Sequence, residues 1–389
     1  MGDDWTWLII TGDDFGYCVH RDQGLLQAFQ AGRLSAASLL VTSPRAPEAV
    51  CKARRVGLPL GLHVNVTEGK PVADLEQLKH DSRVPSLLGP DGTFLGKHGF
   101  RQRLEEGGID LDEVEKEIEA QILRFVLLVG GHPKHVDGHQ HFHILPGVNS
   151  VFARVLHDHG ILRTRLPVEV DVNSCSWLDP TRKKFFAQVS VQAILSAPIF
   201  KEYGLRWADA FVGLSTTGAG MDVDLLGSVL RTALTAVKNG NLPSCKLHGK
   251  EMTTRCEDIT ALSGTKTRHD RWGQTSEGNW MQEMTPCRVD TQSSIIGMED
   301  CKMSHGLCLE LMVHPGLACS HAEDGYSLSQ AKCSAEYMAG YLHDGFCCSP
   351  EREFELRVLV SLDFQNLLEK LGLKIMGADV EDGKNEEII

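Results

Sequence analysis

Thr11-Gly12-Asp13-Asp14-Phe15-Gly16 sets two acids side by side directly after the apolar run Trp5 to Ile10. Such a run reads as a buried strand that delivers carboxylates to the rim of a sheet. Adjacent like charges are costly unless a cation lies between them or one carboxylate keeps its proton. A polar loop closed by an Asx-turn is the plainer alternative. Two histidine-bearing segments, Gly61-Leu62-His63-Val64-Asn65 and Asp137-Gly138-His139-Gln140-His141-Phe142-His143, also fall at predicted strand ends, and His314 closes a late one. A carboxylate with imidazoles suits a divalent ion such as zinc, magnesium preferring more oxygen and water. An ion with only three protein ligands keeps room for water, which it acidifies toward neutrality for attack on a carbonyl. Each residue alone has a structural explanation: His63 as a packed core histidine, His314 before Pro315 as a strand end. His139, His141 and His143, at a period of two, are expected on one face of an extended segment. It is their coincidence at strand ends that points to chemistry.

Those groups need a scaffold that gathers strand ends. Apolar patterning predicts strands at Trp5–Ile10, Ser38–Val41, Leu58–Val66, His135–Asp137, Ile161–Leu166, Ala208–Leu214 and Gly306–Val313. Helices are predicted at Arg21–Ala31, Ala46–Arg55, Leu111–Val129, Gly147–His159, Met221–Val237, Glu351–Val360 and Leu362–Leu371. Repeated β-α units imply a largely parallel sheet with covered faces, either a barrel or a doubly wound sheet. In both, reactive groups collect where strands end. Lys70–Arg101 reads as a loop rich in Gly and Pro. Lys238–Ser304 shows no sustained period, and so long a structureless loop is foreign to a compact domain. Residues 238–304 are therefore expected to be a disordered insertion. It would separate the first part of the domain, 1–237, from the last strand and C-terminal helices, 305–376, with a frayed acidic tail at 377–389.

The chain has 389 residues, 42% of them hydrophobic, and a formal net charge of -13. That is enough apolar sequence for a large α/β domain, and too acidic, without a dense Lys/Arg run, for a nucleic-acid surface. Met1-Gly2-Asp3-Asp4 does not read as a secretory start, and no segment approaches the ~20 apolar residues of a membrane span. Thr6 fits a myristoylation signal after Gly2, but a strand from Trp5 leaves no free arm to carry the lipid. The later cysteines, Cys245, Cys256, Cys287, Cys301 and Cys308, form no Cys-x-x-Cys knuckle. Free thiols in an intracellular, cytoplasmic protein are expected.

At these motifs the chain resembles the YdjC family of carbohydrate deacetylases. The matching features are the run Thr11–Gly16, Gly61-Leu62-His63 with Thr67-Glu68-Gly69-Lys70-Pro71 after it, and Pro133-Lys134-His135-Val136 leading into Asp137–His143. Weaker matches are Arg163-Thr164-Arg165-Leu166-Pro167 and Glu310-Leu311-Met312-Val313-His314-Pro315-Gly316. The resemblance covers about residues 5–237 and 306–375. It implies a distorted, TIM-like (β/α) barrel, which here would be a single domain carrying a long irregular insertion. It also implies a hydrolase that removes N-acetyl groups from carbohydrates such as chitooligosaccharides. The cofactor would be one divalent metal ion, Mg2+ by resemblance with Zn2+ as the alternative. Carried over by motif, Asp13 is the general base, Asp14, His63 and His139 bind the metal, and His314 protonates the leaving amine. His141 and His143 become supporting or substrate groups. The implied partner is an N-acetylated sugar, without nucleic acid or membrane. A homodimer stays open, since family members are often dimeric.

The chain departs from the family in two places. The family joins Met221–Val237 to the His314 strand by a short link, whereas here residues 238–304 intervene; a strand unable to dock across them would misplace His314. Cys319–Cys348 also fits the family poorly. Among rivals, Asp14-Phe15-Gly16 matches the kinase magnesium motif, but the thirteen residues before it leave no room for the kinase's upstream loops. A metal-dependent phosphoesterase on a similar barrel remains the enzyme alternative. It needs a cationic phosphate clamp, for which Arg163 and Arg165 are the candidates. The non-enzyme alternative is a binding or scaffold protein that retains a catalytically dead barrel.

Overall fold

A computed structural model describes residues 6–75, 84–240, 307–317 and 349–377. The expected insertion beyond Gly240, the segment Cys319–Cys348 and the tail beyond Gly377 lie outside the described residues. The strands are β1 Thr6–Phe15, β2 Ala36–Leu39, β3 Leu60–Val64, β4 Val136–Gly138, β5 Ala210–Val212, β6 Cys308–Val313 and β7 Leu373–Ile375. All pair in parallel, in the order β4-β3-β2-β1-β6-β5, with β7 on β1. Helices cover the sheet, which is why its strands are apolar runs: Leu8 and Ile10, Leu62 and Val64, Leu309 and Leu311 are all fully buried. Beyond β4, single bridges from Val136 to Thr164 and from Arg163 to Arg206 carry the sheet round toward β5. The result is a distorted barrel.

The helices are α1 Val19–Gln30, α2 Ala46–Val56, α3 Gly96–Glu105, α4 Leu111–Val129, α5 Val148–Asp158, α6 Pro180–Glu202, α7 Val223–Lys238, α8 Glu351–Leu359 and α9 Leu362–Leu371. Four corrections to the sequence expectations follow. Ile161–Leu166 forms bridges but no regular strand, because the Arg165 carbonyl bonds the His143 ring at 3.1 Å instead of a neighbouring strand. Lys70–Arg101 is not loop throughout, since α3 begins at Gly96. Helix α6 and strand β7 have no counterpart in the predicted elements. Asp179 caps α6 by accepting the N–H groups of Thr181 and Arg182, and Pro180 opens it.

Two features position the chemistry. On α4, buried Glu117 and Gln121 sit one turn apart and tie down the loop that follows β3. Gln121 exchanges hydrogen bonds of 2.9 and 2.6 Å with the Asn65 main chain, and Glu117 accepts from the Val72 and Ala73 N–H groups at 2.9 Å. Meanwhile β1 runs on through both aspartates. Its register against β2 shifts between Gly12 and Phe15, and Asp14 takes a left-handed φ of 64°. This bulge aims neighbouring carboxylates at different partners.

Candidate metal centre and active site

His63 stands opposite Asp137 in the β3–β4 register. Its Nδ1 donates to Asp137 Oδ1 at 2.6 Å, which leaves Nε2 for the site, 3.3 Å from Asp14 Oδ1. His139 is oriented the other way round. Its Nε2 lies 3.0 Å from Glu68 Oε2, and its Nδ1 lies 3.1 Å from Asp14 Oδ1 and 3.3 Å from His63 Nε2. Carboxylate partners of this kind fix which ring nitrogen faces a metal. The three facing atoms thus stand 3.1–3.3 Å apart. That is the separation of neighbouring ligands around one ion with bonds of about 2.0–2.2 Å. Asp14 Oδ1 is buried and finds no aligned hydrogen-bond donor, despite two ring nitrogens so near. A buried carboxylate oxygen left this way fits a cation. The residues present therefore fit a divalent metal.

The electrostatics agree. Burial would raise Asp14, but His139, His63 and Arg21 hold it well below the usual carboxylate range. Burial would lower both imidazoles, and the carboxylates override it: Asp137 and Asp13 raise His63 to about 9, and Asp14 and Glu68 raise His139 to about 10. Four buried carboxylates, Asp13, Asp14, Asp137 and Glu310, meet two buried guanidinium groups, Arg165 and Arg21. With Glu68 beside His139, acids outnumber guanidinium groups, a negative excess that favours a cation once both imidazoles are neutral.

Asp13 turns from the triad onto Arg165, whose Nη1 and Nη2 reach Oδ2 and Oδ1 at 2.6 and 2.8 Å. The same guanidinium reaches Asp137 Oδ2 at 2.9 Å and Glu310 Oε1 at 2.8 Å. It thereby occupies the second group of metal-ligand composition, Asp13, His63 and Asp137. Four of its five N–H donors are thereby engaged, and the one left cannot make the two-point phosphate clamp that Arg165 would need in a phosphoesterase. Burial raises Asp13 in spite of Arg165, as suits a base. His314 follows β6 and brings Nε2 to 3.9 Å from Asp13 Oδ2. Strand β6 docks in register between β1 and β5, so the intervening segment does not keep His314 from the site.

The histidine cluster departs from expectation. His139–Ile144 is a tight 3-10 turn, with Gln140 at φ 54° and His141 at φ 57°, and not an extended segment. Left-handed residues break the alternation of sides, so only His139 joins the triad. His143 turns inward against Phe152 and Phe200, and burial lowers it to about 4. Gly138 permits this, since a Cβ there would stand 2.9 Å from the His143 Cβ. His141 is buried too, and burial holds it well below its usual value. Sequence spacing assigns no role to Glu68, Glu310 or Arg21, and it does not pair Asp137 with His63 or Arg165 with the carboxylates. Glu310 carried a signal, as an acid inside the apolar run Cys308–Val313 must find a partner. Asp137 carried another, at the end of the strand after that of His63.

The YdjC-like protein family matches residues 7–370. A Mus musculus protein named carbohydrate deacetylase is 36% identical over 97% of this chain and 95% of its own. A Homo sapiens protein of the same name is 43% identical over 62% of this chain and 73% of its own. Among solved structures, an Enterococcus faecalis V583 protein provisionally described as acting in cellobiose-phosphate cleavage superposes with a TM-score of 0.55, at 19% identity, over 96% of this chain and 98% of its own. At that identity the likeness is one of fold. A distorted parallel barrel, an aspartate-histidine triad at its strand ends and a family match along nearly the whole sequence lead to one assignment: the chain belongs to the YdjC-like family.

Proposed function

We propose that this site hydrolyses N-acetyl groups on carbohydrates, with Asp14, His63 and His139 holding one divalent ion, Asp13 as general base and His314 as general acid. The chain is a carbohydrate deacetylase like the relatives it matches. The observation that carries the division of roles is the convergence of Asp14 Oδ1, His63 Nε2 and His139 Nδ1 beside an Asp13 that faces Arg165. When bound, the ion supplies Lewis acidity, which polarises the acetyl carbonyl and makes water a stronger acid. Asp13 takes a proton from the attacking water, and Arg165 holds it in place while each carboxylate oxygen keeps a lone pair. The water oxygen adds to the acetyl carbon, the C–N bond breaks, acetate forms, and the sugar nitrogen leaves as an amine carrying one more proton. His314 delivers that proton. Burial keeps its resting imidazole neutral, so it must gain a proton during the reaction. Asp13 Oδ2, 3.9 Å from Nε2, has then just accepted one.

Family resemblance implies magnesium, whereas two imidazole donors suit zinc better. Among the described residues Cys51 and Cys175 are free thiols, which supports a reducing, cytoplasmic setting. No helix among the described residues is long and apolar enough to cross a membrane. The test pairs metal analysis with acetate release from N-acetylated chitooligosaccharides. Alanine at Asp14, His63 or His139 should strip the ion and the activity together. Full metal content in all three variants, or undiminished turnover by stripped protein, would overturn the assignment.

A further inference from the structure

His314 sits one residue beyond its strand's ladder. The last β1–β6 partners are Gly12 and Val313, because β1 departs at the bulge that begins with Asp13 and Asp14. The peptide N–H and C=O of His314 are thereby cut off from the sheet while buried, and buried main-chain groups must find partners. Both are taken by buried charged side chains. Glu355 Oε2, on α8, accepts the His314 N–H at 2.6 Å, and Arg21 Nη1, on α1, donates to the His314 carbonyl at 2.6 Å. The other Glu355 oxygen accepts the Gly218 N–H at 2.7 Å and lies 3.0 Å from Arg352 Nη1. Further along, the Gly316 N–H donates to the Arg352 carbonyl and the Leu317 N–H to the His20 carbonyl, each at 3.0 Å. Residues 314–317 are strung between α1 and α8.

We propose that Glu355 and Arg21 are positioning residues that grip the main chain of His314 from opposite sides and so set the reach of its imidazole to Asp13. The proposal rests on the reading of His314 as the acid. Hydrogen bonds to a charged group are about twice as strong as neutral ones, so each grip is stiff. The tolerance is small, since a misplacement of about 1 Å can cost ~10²-fold in rate. Arg21 also lies 3.9 Å from Asp14 Oδ2, so its guanidinium serves the acid and a metal ligand at once. Glu355 bonds His314, Gly218 and Arg352, none of which binds the metal, so its influence on turnover runs through His314. That makes Glu355 the cleaner test.

A double-mutant cycle tests it in the full-length, metal-loaded chain, with Glu355→Ala, Glu355→Gln, His314→Ala and the combined variants. Glu355→Ala should lower kcat by ~10²-fold while KM and metal content hold. Glu355→Gln keeps one oxygen for one of the two N–H groups and should recover part of the loss. In the His314→Ala background, Glu355→Ala should cost no further kcat, although its effect on thermal stability persists. A structural role would instead lower activity equally in both backgrounds, and that result, or an undiminished kcat, overturns the proposal. Should Glu355→Ala not fold, Glu355→Gln carries the same cycle. Full activity in His314→Ala alone would fell the acid assignment and this inference with it. An inactive His314→Ala beside a fully active Glu355 variant would fell this inference alone.

Discussion

Stripping the ion should make the stability of this chain a steep function of pH. Without metal, His63 and His139 are buried among Asp137, Asp13, Asp14 and Glu68, which override burial and raise the two rings from 6.5 to about 9 and about 10. Between 6.5 and those values the native state keeps protons that the unfolded chain has released, so stability falls as pH rises. The contribution is complete below about 6.5 and disappears through about 9 for His63 and about 10 for His139. At about 1.4 kcal/mol per pKa unit, His63 corresponds to roughly 3 kcal/mol and His139 to roughly 5. The rings share Asp14 and titrate together, so the two figures do not add, and about 3–5 kcal/mol is the expected scale. One kcal/mol moves the Tm of a large domain by about 2–4 °C, which predicts a fall of about 10 °C. Bound metal requires neutral imidazoles and displaces those protons, so its affinity should climb with pH over the same window. The assay is thermal melting of stripped and metal-saturated protein from pH 6.5 to 9.5. Subtracting the two curves cancels titrations remote from the site. The gap in Tm should widen by about 10 °C with rising pH. A constant gap would refute the coupling between rings and carboxylates, and a narrowing one would show that its sign is wrong.

Asp13→Asn should keep the ion and lose about 10²–10⁴-fold in turnover, since an amide cannot take the proton. Loss of metal in that variant, or normal acetate release, would mean the two aspartates have been exchanged. Gly24→Ala tests the seat of the His314 segment: a Cβ on Gly24 would stand 2.6 Å from the Gly316 nitrogen and 2.9 Å from its carbonyl carbon, so main chain must move. We expect kcat to fall about 10–100-fold and stability by about 1–3 kcal/mol, with metal content unchanged. An unaltered kcat would show that the segment yields without carrying His314 with it.

Much of the site was legible because its strands are buried on both faces. β1, β3 and β6 read as apolar runs, so the acids and imidazoles at their ends stand out as exceptions. The same periodicity misled at His139–His143, where alternation belongs to strands and the chain turns left-handed after Gly138. Helix α6 was illegible for a related reason. It buries Val189, Ala193 and Phe200 but exposes Val191 and Leu195, and Pro198 lies inside it, so no apolar stripe marks its inner face. β7 is a three-residue strand, too short for a period. Partnership was out of reach altogether. That Arg165 serves Asp13, Asp137 and Glu310 depends on three strands meeting in space, which spacing along one chain does not encode.

The two neighbouring aspartates would explain how the proposed site takes one ion and one base. On a regular strand, adjacent side chains face opposite sides of the sheet, and one carboxylate would be buried under helices. The bulge and the left-handed φ at Asp14 keep both at the rim. A non-glycine residue there costs about 1–3 kcal/mol, and aspartate is among the few that tolerate it. The remaining hazard is a second metal between Asp13, His63 and Asp137, whose composition would accept one. Arg165 removes it. A guanidinium stays charged at any working pH and fits a carboxylate with two parallel bonds, as it does on Asp13. A permanent cation therefore stands where a second ion would have turned the proposed base into a ligand, and Asp13 is left able to take a proton.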